Sequence, residues 1–150
     1  QSEGPRFTAS MIVAGQIRDM EPRLFLIYPE GNFIEASFDT PFFQIGETKY
    51  GRPILVRAYD KEMSFEDAVK LLLVSFDSTL AANLSVGLPF DLMVIERDHF
   101  EPLHHKRILA TDPYFNKISS SWSEALRQAF HSLPDYTFED ASVFLADQPK

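Results

Sequence analysis

The chain has 150 residues, a formal net charge of −8 and no cysteine. A single domain of that length, residues 1–150, is expected to bury roughly 70% of the surface its unfolded chain exposes. The acidic balance argues against a general surface for nucleic acid or anionic membranes, and the lack of thiols excludes disulfides, thiolate zinc sites and a cysteine nucleophile.

No apolar run approaches the roughly 20 residues that span a bilayer, and no secretory signal is visible. A cytoplasmic address is compatible with both. The chain opens on Gln1 rather than Met, and its first six residues are polar and turn-rich. Strand-like sequence follows at once, so the chain reads as a polypeptide entered part-way along.

Residues 7–17, centred on Met11-Ile12-Val13-Ala14-Gly15, are short, apolar and partly β-branched, and predict a strand. A polar connection leads to a second apolar strand over residues 23–28. Pro29-Glu30-Gly31-Asn32 is a turn signal, and residues 33–38 return as a third strand, giving an antiparallel meander. A loop over residues 39–49 carries Gly46-Glu47-Thr48, and a short helix is expected from about residue 50 to 59 with Pro53 in its first turn.

Ser64 is a helix cap, with Asp67 three residues on at the positive end of the dipole. Phe65, Val69, Leu72, Leu73, Phe76 and Leu80 recur at helical spacing, and Leu71 and Val74 widen the stripe, so a long helix covered on more than one side is expected. Asn83 is expected to end it in the left-handed conformation. The bend at residues 83–87 then feeds a strand over residues 90–95, apolar at almost every position and expected to be buried on both faces. That polar bend is the best candidate for chemistry.

Residues 96–99 form a charged hairpin tip, and residues 100–109 an edge strand carrying Pro102 and His104-His105-Lys106-Arg107. Asp112-Pro113 starts a last long helix, whose Tyr114, Ile118, Trp122, Leu126 and Phe130 make a core-facing stripe that ends near His131. The tail from Asp135 to Lys150 is read as a short helix or strand. The order β-β-β-α-α-β-β-α predicts an α+β fold with helices layered on antiparallel sheet.

The four histidines do not make a metal site: His104 and His105 face opposite sides of a strand, and His99 and His131 lie at polar ends. No metal or cofactor is expected. Gly46-Glu47-Thr48 ahead of a helix can present backbone N–H groups to an oxyanion, or be an ordinary loop. Asn83, Ser85 and Asp91 cluster at the central bend, with Ser78 and Thr79 just upstream; satisfying the helix end is the usual role of such residues. No Ser-His-Asp order and no Gly-x-Ser-x-Gly elbow occurs.

Three blocks then carry a resemblance. The segments PRLFLIYPEGNFI (22–34), DTPF (39–42) with QIGETKYGRPIL (44–55), and LVSFDSTL (73–80) with NLSVG (83–87) and PFDL (89–92) are similar to Anbu, the proteasome-type bacterial family proposed as the ancestral β subunit. The resemblance implies an N-terminal-nucleophile hydrolase fold, an αββα sandwich, with this chain as its C-terminal portion lacking the first strands. It also implies a homo-oligomeric ring acting on peptides or unfolded proteins as a threonine-type peptidase. In such subunits a terminal Thr is the nucleophile, and its own α-amino group, with an ordinary pKa near 8, acts as base.

Gln1 has no hydroxyl, so the nucleophile is expected upstream, with supporting roles for Glu47, Asn83 and Ser85. Glu47 stands where the family has the Ser of a Gly-Ser-Gly. Asn83 stands for the Asp of Asp-x-x-Ser-Gly, and Ser85 is displaced by one from its Ser. The alternatives are a non-catalytic ring or scaffold of the same fold, or a different amide hydrolase of that fold class.

Overall fold

A computed structural model describes residues 8–138. The elements are β1 (Met11–Gly15), β2 (Arg23–Ile27), β3 (Phe33–Glu35), α1 (Arg52–Ala58), α2 (Phe65–Ala82), β4 (Phe90–Val94), β5 (His104–Ile108) and α3 (Pro113–His131). Their order and type match the sequence expectation. By internal contact the chain divides into two compact units, Gln1–Ser119 and Ser120–Lys150.

The first unit holds both sheets. β1, β2 and β3 form an antiparallel meander, with Val13 opposite Phe25 and Phe25 opposite Glu35. Gly31 closes the β2–β3 turn at φ 91°, a conformation that costs glycine little. Arg23 forks onto both oxygens of Glu35 at 2.6 and 2.7 Å, which holds that carboxyl below its ordinary range. β4 and β5 pair separately, Leu92 opposite Lys106.

The connection after β1 meets the tip of the β4–β5 hairpin. There the Arg18 guanidinium lies 5.1 Å from the Phe100 ring, and Arg97 pairs with Glu21. Two polar loops are thereby tied together, although neither carries a pattern that forecasts it.

Ser64 caps α2 as expected: its hydroxyl accepts the Asp67 N–H at 3.1 Å. The buried face of α2 differs from the expected stripe. Leu71, Leu73 and Val74 are buried as expected, and Val69 and Leu80 pack against the core, but Phe65, Leu72 and Phe76 are exposed, and Ser75 and Thr79 take the interior instead. The reason is α1. Gly51, at its N-terminal end, lies so close to α2 that an added Cβ would sit 2.3 Å from Ser75 Oγ and 3.1 Å from Thr79 Oγ1. Small hydroxyl residues one turn apart admit that backbone, and leucine would not.

The other side of α2 carries the main cluster, in which Leu73, Ile108 and Phe115 are buried with Phe90, Leu92 and Ile118 packed around them. Phe90 joins two rings, with centroids 4.5 Å from Phe76 and 5.7 Å from Phe115. β4 is therefore half-buried in alternation rather than covered on both faces: Met93 and Ile95 are exposed. β5 is an edge strand, as expected.

Asp112 caps α3, accepting the Phe115 N–H at 2.9 Å and the Lys106 ammonium at 2.6 Å. The buried ring in its first turn is Phe115, 4% exposed, and not Tyr114 at 47%. In the second unit, Leu126 is exposed and Phe130 is 71% exposed, so the expected core stripe of α3 is open to solvent there. The expected last element over 135–150 falls largely outside the described residues. Among the described residues no helix is long and apolar enough to cross a membrane.

Candidate functional site

The loop ahead of α1 turns at Gly46, φ 78°, and sets Glu47 half-buried against the end of α2. Glu47 Oε1 accepts the Lys49 backbone N–H at 2.8 Å, a local turn that holds the side chain. Its Oε2 accepts Asn83 Nδ2, also at 2.8 Å.

Asn83 ends α2 with its own N–H on Thr79 O at 2.9 Å. Its backbone is extended, φ −138° and ψ 111°, and not left-handed as expected. The extended conformation lets the carboxamide reach across to Glu47 while its oxygen faces the following loop. Asn83 Oδ1 accepts both the Ser85 N–H at 2.8 Å and the Ser85 hydroxyl at 2.7 Å. The bend itself is partly in solvent: Leu84 is fully exposed.

Glu47, Asn83 and Ser85 thus form one chain of hydrogen bonds over the two motifs that sequence singled out. Asp91 is not part of it; it lies on β4 opposite Arg107, 3.9 Å from its guanidinium. Thr79 donates its hydroxyl to Ser75 O at 2.9 Å and backs the α1 contact. The Lys49 N–H, one residue past Gly46-Glu47-Thr48, is spent on Glu47 itself.

Chemically the network orients and polarises, and does not attack. The Ser85 proton goes to an amide oxygen, which is no base, so nothing activates that hydroxyl. The carboxylate receives two neutral donors, and among the described residues it meets no cationic side chain. Each of its oxygens keeps a lone pair for a further donor.

Beside Glu47 the loop, α1 and α2 enclose a cavity of about 370 Å3, walled by Ile12, Phe42, Phe43, Leu55 and Phe76. Gln44 lines it, and its Oε1 is buried with no hydrogen-bond partner. No sequence signal singled out Gln44. The Gly51, Ser75 and Thr79 contact had one: small residues four apart in α2, after a glycine-bearing loop.

The family model described as proteasome subunit matches residues 1–95. The chain belongs to the proteasome-subunit family. Among solved proteasome-type structures it is similar to Anbu from Hyphomicrobium sp. strain MC1, at 56% identity and a TM-score of 0.84, over 88% of this chain and 57% of that one. Anbu (ancestral beta-subunit) from Yersinia bercovieri is 47% identical with a TM-score of 0.80, over 84% and 54%. The helical assembly of the Anbu complex from Pseudomonas aeruginosa is 45% identical with a TM-score of 0.84, over 89% and 55%. No curated protein sequence matches.

The fold is accordingly α+β of the N-terminal-nucleophile hydrolase type, and the resemblance to Anbu drawn from the three sequence blocks holds. The chain spans between 54% and 57% of the length of these three relatives.

Proposed function

We propose that this chain is the C-terminal portion of a proteasome-type subunit, and that it backs a cleft in which a threonine supplied by polypeptide outside the chain hydrolyses peptide bonds. The observation that carries the reading is the Glu47–Asn83–Ser85 network: a fixed carboxylate, oriented from both sides, with no nucleophile or base of its own.

A terminal threonine brings both missing parts, the hydroxyl and an adjacent amine of ordinary pKa near 8. The amine takes the hydroxyl proton as the oxygen attacks the scissile carbonyl and returns it to the leaving amine, and a water then cleaves the resulting ester, releasing the acid and restoring the hydroxyl. Glu47, in the place of the usual Ser, pairs with the ammonium form of that amine and raises its pKa. The Asn83 N–H on Glu47 spreads the carboxylate's charge and fixes the oxygen that faces the amine.

Self-assembly into a homo-oligomer is part of the proposal, with peptides or unfolded proteins as substrates in the cytoplasm. It is supported by the Pseudomonas relative, a helical assembly, and by the large apolar residues exposed here on β1, β3 and α3. A closed ring and an open helix use the same head-to-tail contact and differ only in whether the rotation closes.

The test is hydrolysis of a fluorogenic peptide by the complete protein, with its terminal Thr→Ala variant as the control, alongside electron microscopy of the particles. Hydrolysis lost in the variant supports the peptidase. Assembled particles without hydrolysis favour the second reading, a non-catalytic scaffold, to which the Glu47 and Asn83 replacements point. A strictly monomeric product sinks both.

A further inference from the structure

Four large apolar side chains stand in water where two distant loops meet. The connection after β1 carries Ile17, 71% exposed, and Met20. The tip of the β4–β5 hairpin carries Phe100 and Leu103, and these two and Met20 are each more than half exposed. Scattered apolar residues are ordinary on a surface. These four differ because polar contacts fix both loops that present them. The Gln16 carboxamide donates to Met20 O and to the Asp98 carboxylate and accepts the Asp98 N–H, all at 2.7 Å. Arg97 pairs with Glu21, and Arg18 lies over the Phe100 ring. Asp19 and Asp98 each turn their loop at φ 64°. Ordering loops opposes chain entropy, and holding apolar groups in water offsets none of it until something covers them.

The charges describe what covers them. Residues 16–21 and 96–103 hold the carboxylates of Asp19, Glu21, Glu96, Asp98 and Glu101 against the guanidiniums of Arg18 and Arg97. Both guanidiniums are engaged, and His99 lies 3.5 Å from Glu96. Asp19 and Glu101 have no hydrogen bond or ion pair among the described residues. Asp19 falls between Ile17 and Met20, and Glu101 between Phe100 and Leu103. Permanent burial inside a fold would take both unpaired carboxylates out of water, which is strongly unfavourable. Apolar groups within a charged rim are the anatomy of an interface instead. A second copy brings the wrong sign: the chain carries −8, and this patch facing itself would oppose like charges.

We propose that the fastened loops are a docking surface for a different protein, through a segment that carries large aliphatic or aromatic side chains between lysines or arginines. Its apolar side chains pack on Ile17, Met20, Phe100 and Leu103, and its cations face Asp19 and Glu101. The Gln16–Asp98 pair sets the spacing of the two halves. The surface leaves the far end of β1 from Ile12, which walls the cavity beside Glu47, about 13 Å along the strand at roughly 3.3 Å per residue. The proposal does not depend on peptide hydrolysis.

The probe is a fluorescently labelled synthetic peptide of repeated Leu-Lys-Lys-Leu, followed by anisotropy as the complete protein is added, with repeated Leu-Glu-Glu-Leu as the control. Mass spectrometry checks that the peptide stays intact. Saturable binding of the basic peptide, and not of the acidic one, is expected. Ile17→Ser and Leu103→Ser, both at exposed positions, should each weaken it about tenfold. Asp19→Asn with Glu101→Gln should weaken it about fivefold at low salt and less at high salt. Glu30→Gln with Glu62→Gln removes the same charge from two other exposed loops and should leave binding unchanged.

Gln16→Ala keeps every contacting side chain but unfastens the loops, and should weaken binding as well; melting curves check that each variant is folded. No saturable binding by the folded wild type overturns the proposal, as when another part of the subunit already covers the two loops. Binding that Ile17→Ser or Gln16→Ala leaves unchanged overturns it too. So does equal weakening by the two neutralised pairs, which marks general adsorption to an acidic protein.

Discussion

Gln16 and Asp98 lie 82 residues apart and exchange two hydrogen bonds of 2.7 Å: the Gln16 carboxamide donates to the Asp98 carboxylate and accepts the Asp98 backbone N–H. Asp98 sits at φ 64°, which points its N–H at Gln16. With Arg18 on Phe100 and Arg97 on Glu21, this pair joins the connection after β1 to the tip of the β4–β5 hairpin. Gln16→Ala should cost about 1–2 kcal/mol. Gln16→Glu should cost more at neutral pH, because two carboxylates then face each other, and the excess should shrink with added salt. Urea unfolding of the two variants at low and high ionic strength checks both.

Gly51→Ala should destabilise the fold by about 1–3 kcal/mol, the usual range for overpacking. The new methyl would fall 2.3 Å from Ser75 Oγ and 3.1 Å from the Ser75 carbonyl oxygen. Adding Ser75→Ala removes the closer atom and should restore part of the loss. Thermal unfolding of the single and double variants measures the coupling, and additive effects would contradict the close approach of α1 to α2.

Asp112 has its carboxyl held below the ordinary range, first by the Lys106 ammonium and then by the Phe115 N–H. A depressed folded pKa adds stability above the unfolded value, near 3.9, and that part is lost as pH falls through the lower folded value. Lys106→Met should therefore lower the Tm at neutral pH, with the gap to wild type closing as pH falls below the unfolded value of about 3.9 and through the lower folded one. Melting curves across pH 2–7, a window set by that unfolded value, provide the comparison.

Asn83→Ala leaves Glu47 Oε2 without its donor and frees the Ser85 hydroxyl. In the complete protein, kcat/KM for a peptide should fall by roughly 10–100-fold, the scale of a misplaced supporting group. Asn83→Asp should be worse at neutral pH, since a second carboxylate would stand 2.8 Å from the first. Activity equal to wild type in both would remove Asn83 from the site.

Glu47→Gln tests the electrostatic half of the same site. A carboxylate facing the terminal ammonium delays its deprotonation, so hydrolysis should rise with pH along a limb set by that amine. Replacing it by an amide should move the limb to lower pH by about 0.5–1 unit. An unmoved limb would mean that Glu47 does not face the amine.

How much of this could be read from the chain alone divides along the reach of the forces. Element order, the Ser64 and Asp112 caps and the Gly31 turn were legible because each depends on residues a few positions apart. The two motifs that meet at the site were legible too, through three local blocks shared with Anbu.

Partnerships over long separations were not legible. Whether α2 buries Leu72 and Phe76 or Ser75 and Thr79 depends on how closely Gly51 comes to it, and hydrophobicity alone ranks those residues the wrong way round. Gln44 carries no periodicity at all, and its unspent carboxamide is visible only once the surrounding rings are placed. Local propensity and capping are encoded in short windows of sequence. The meeting of Asn83 with Glu47, 36 residues away, exists only after α1 and α2 have packed, because that packing sets the distance between two loop ends that no local pattern constrains.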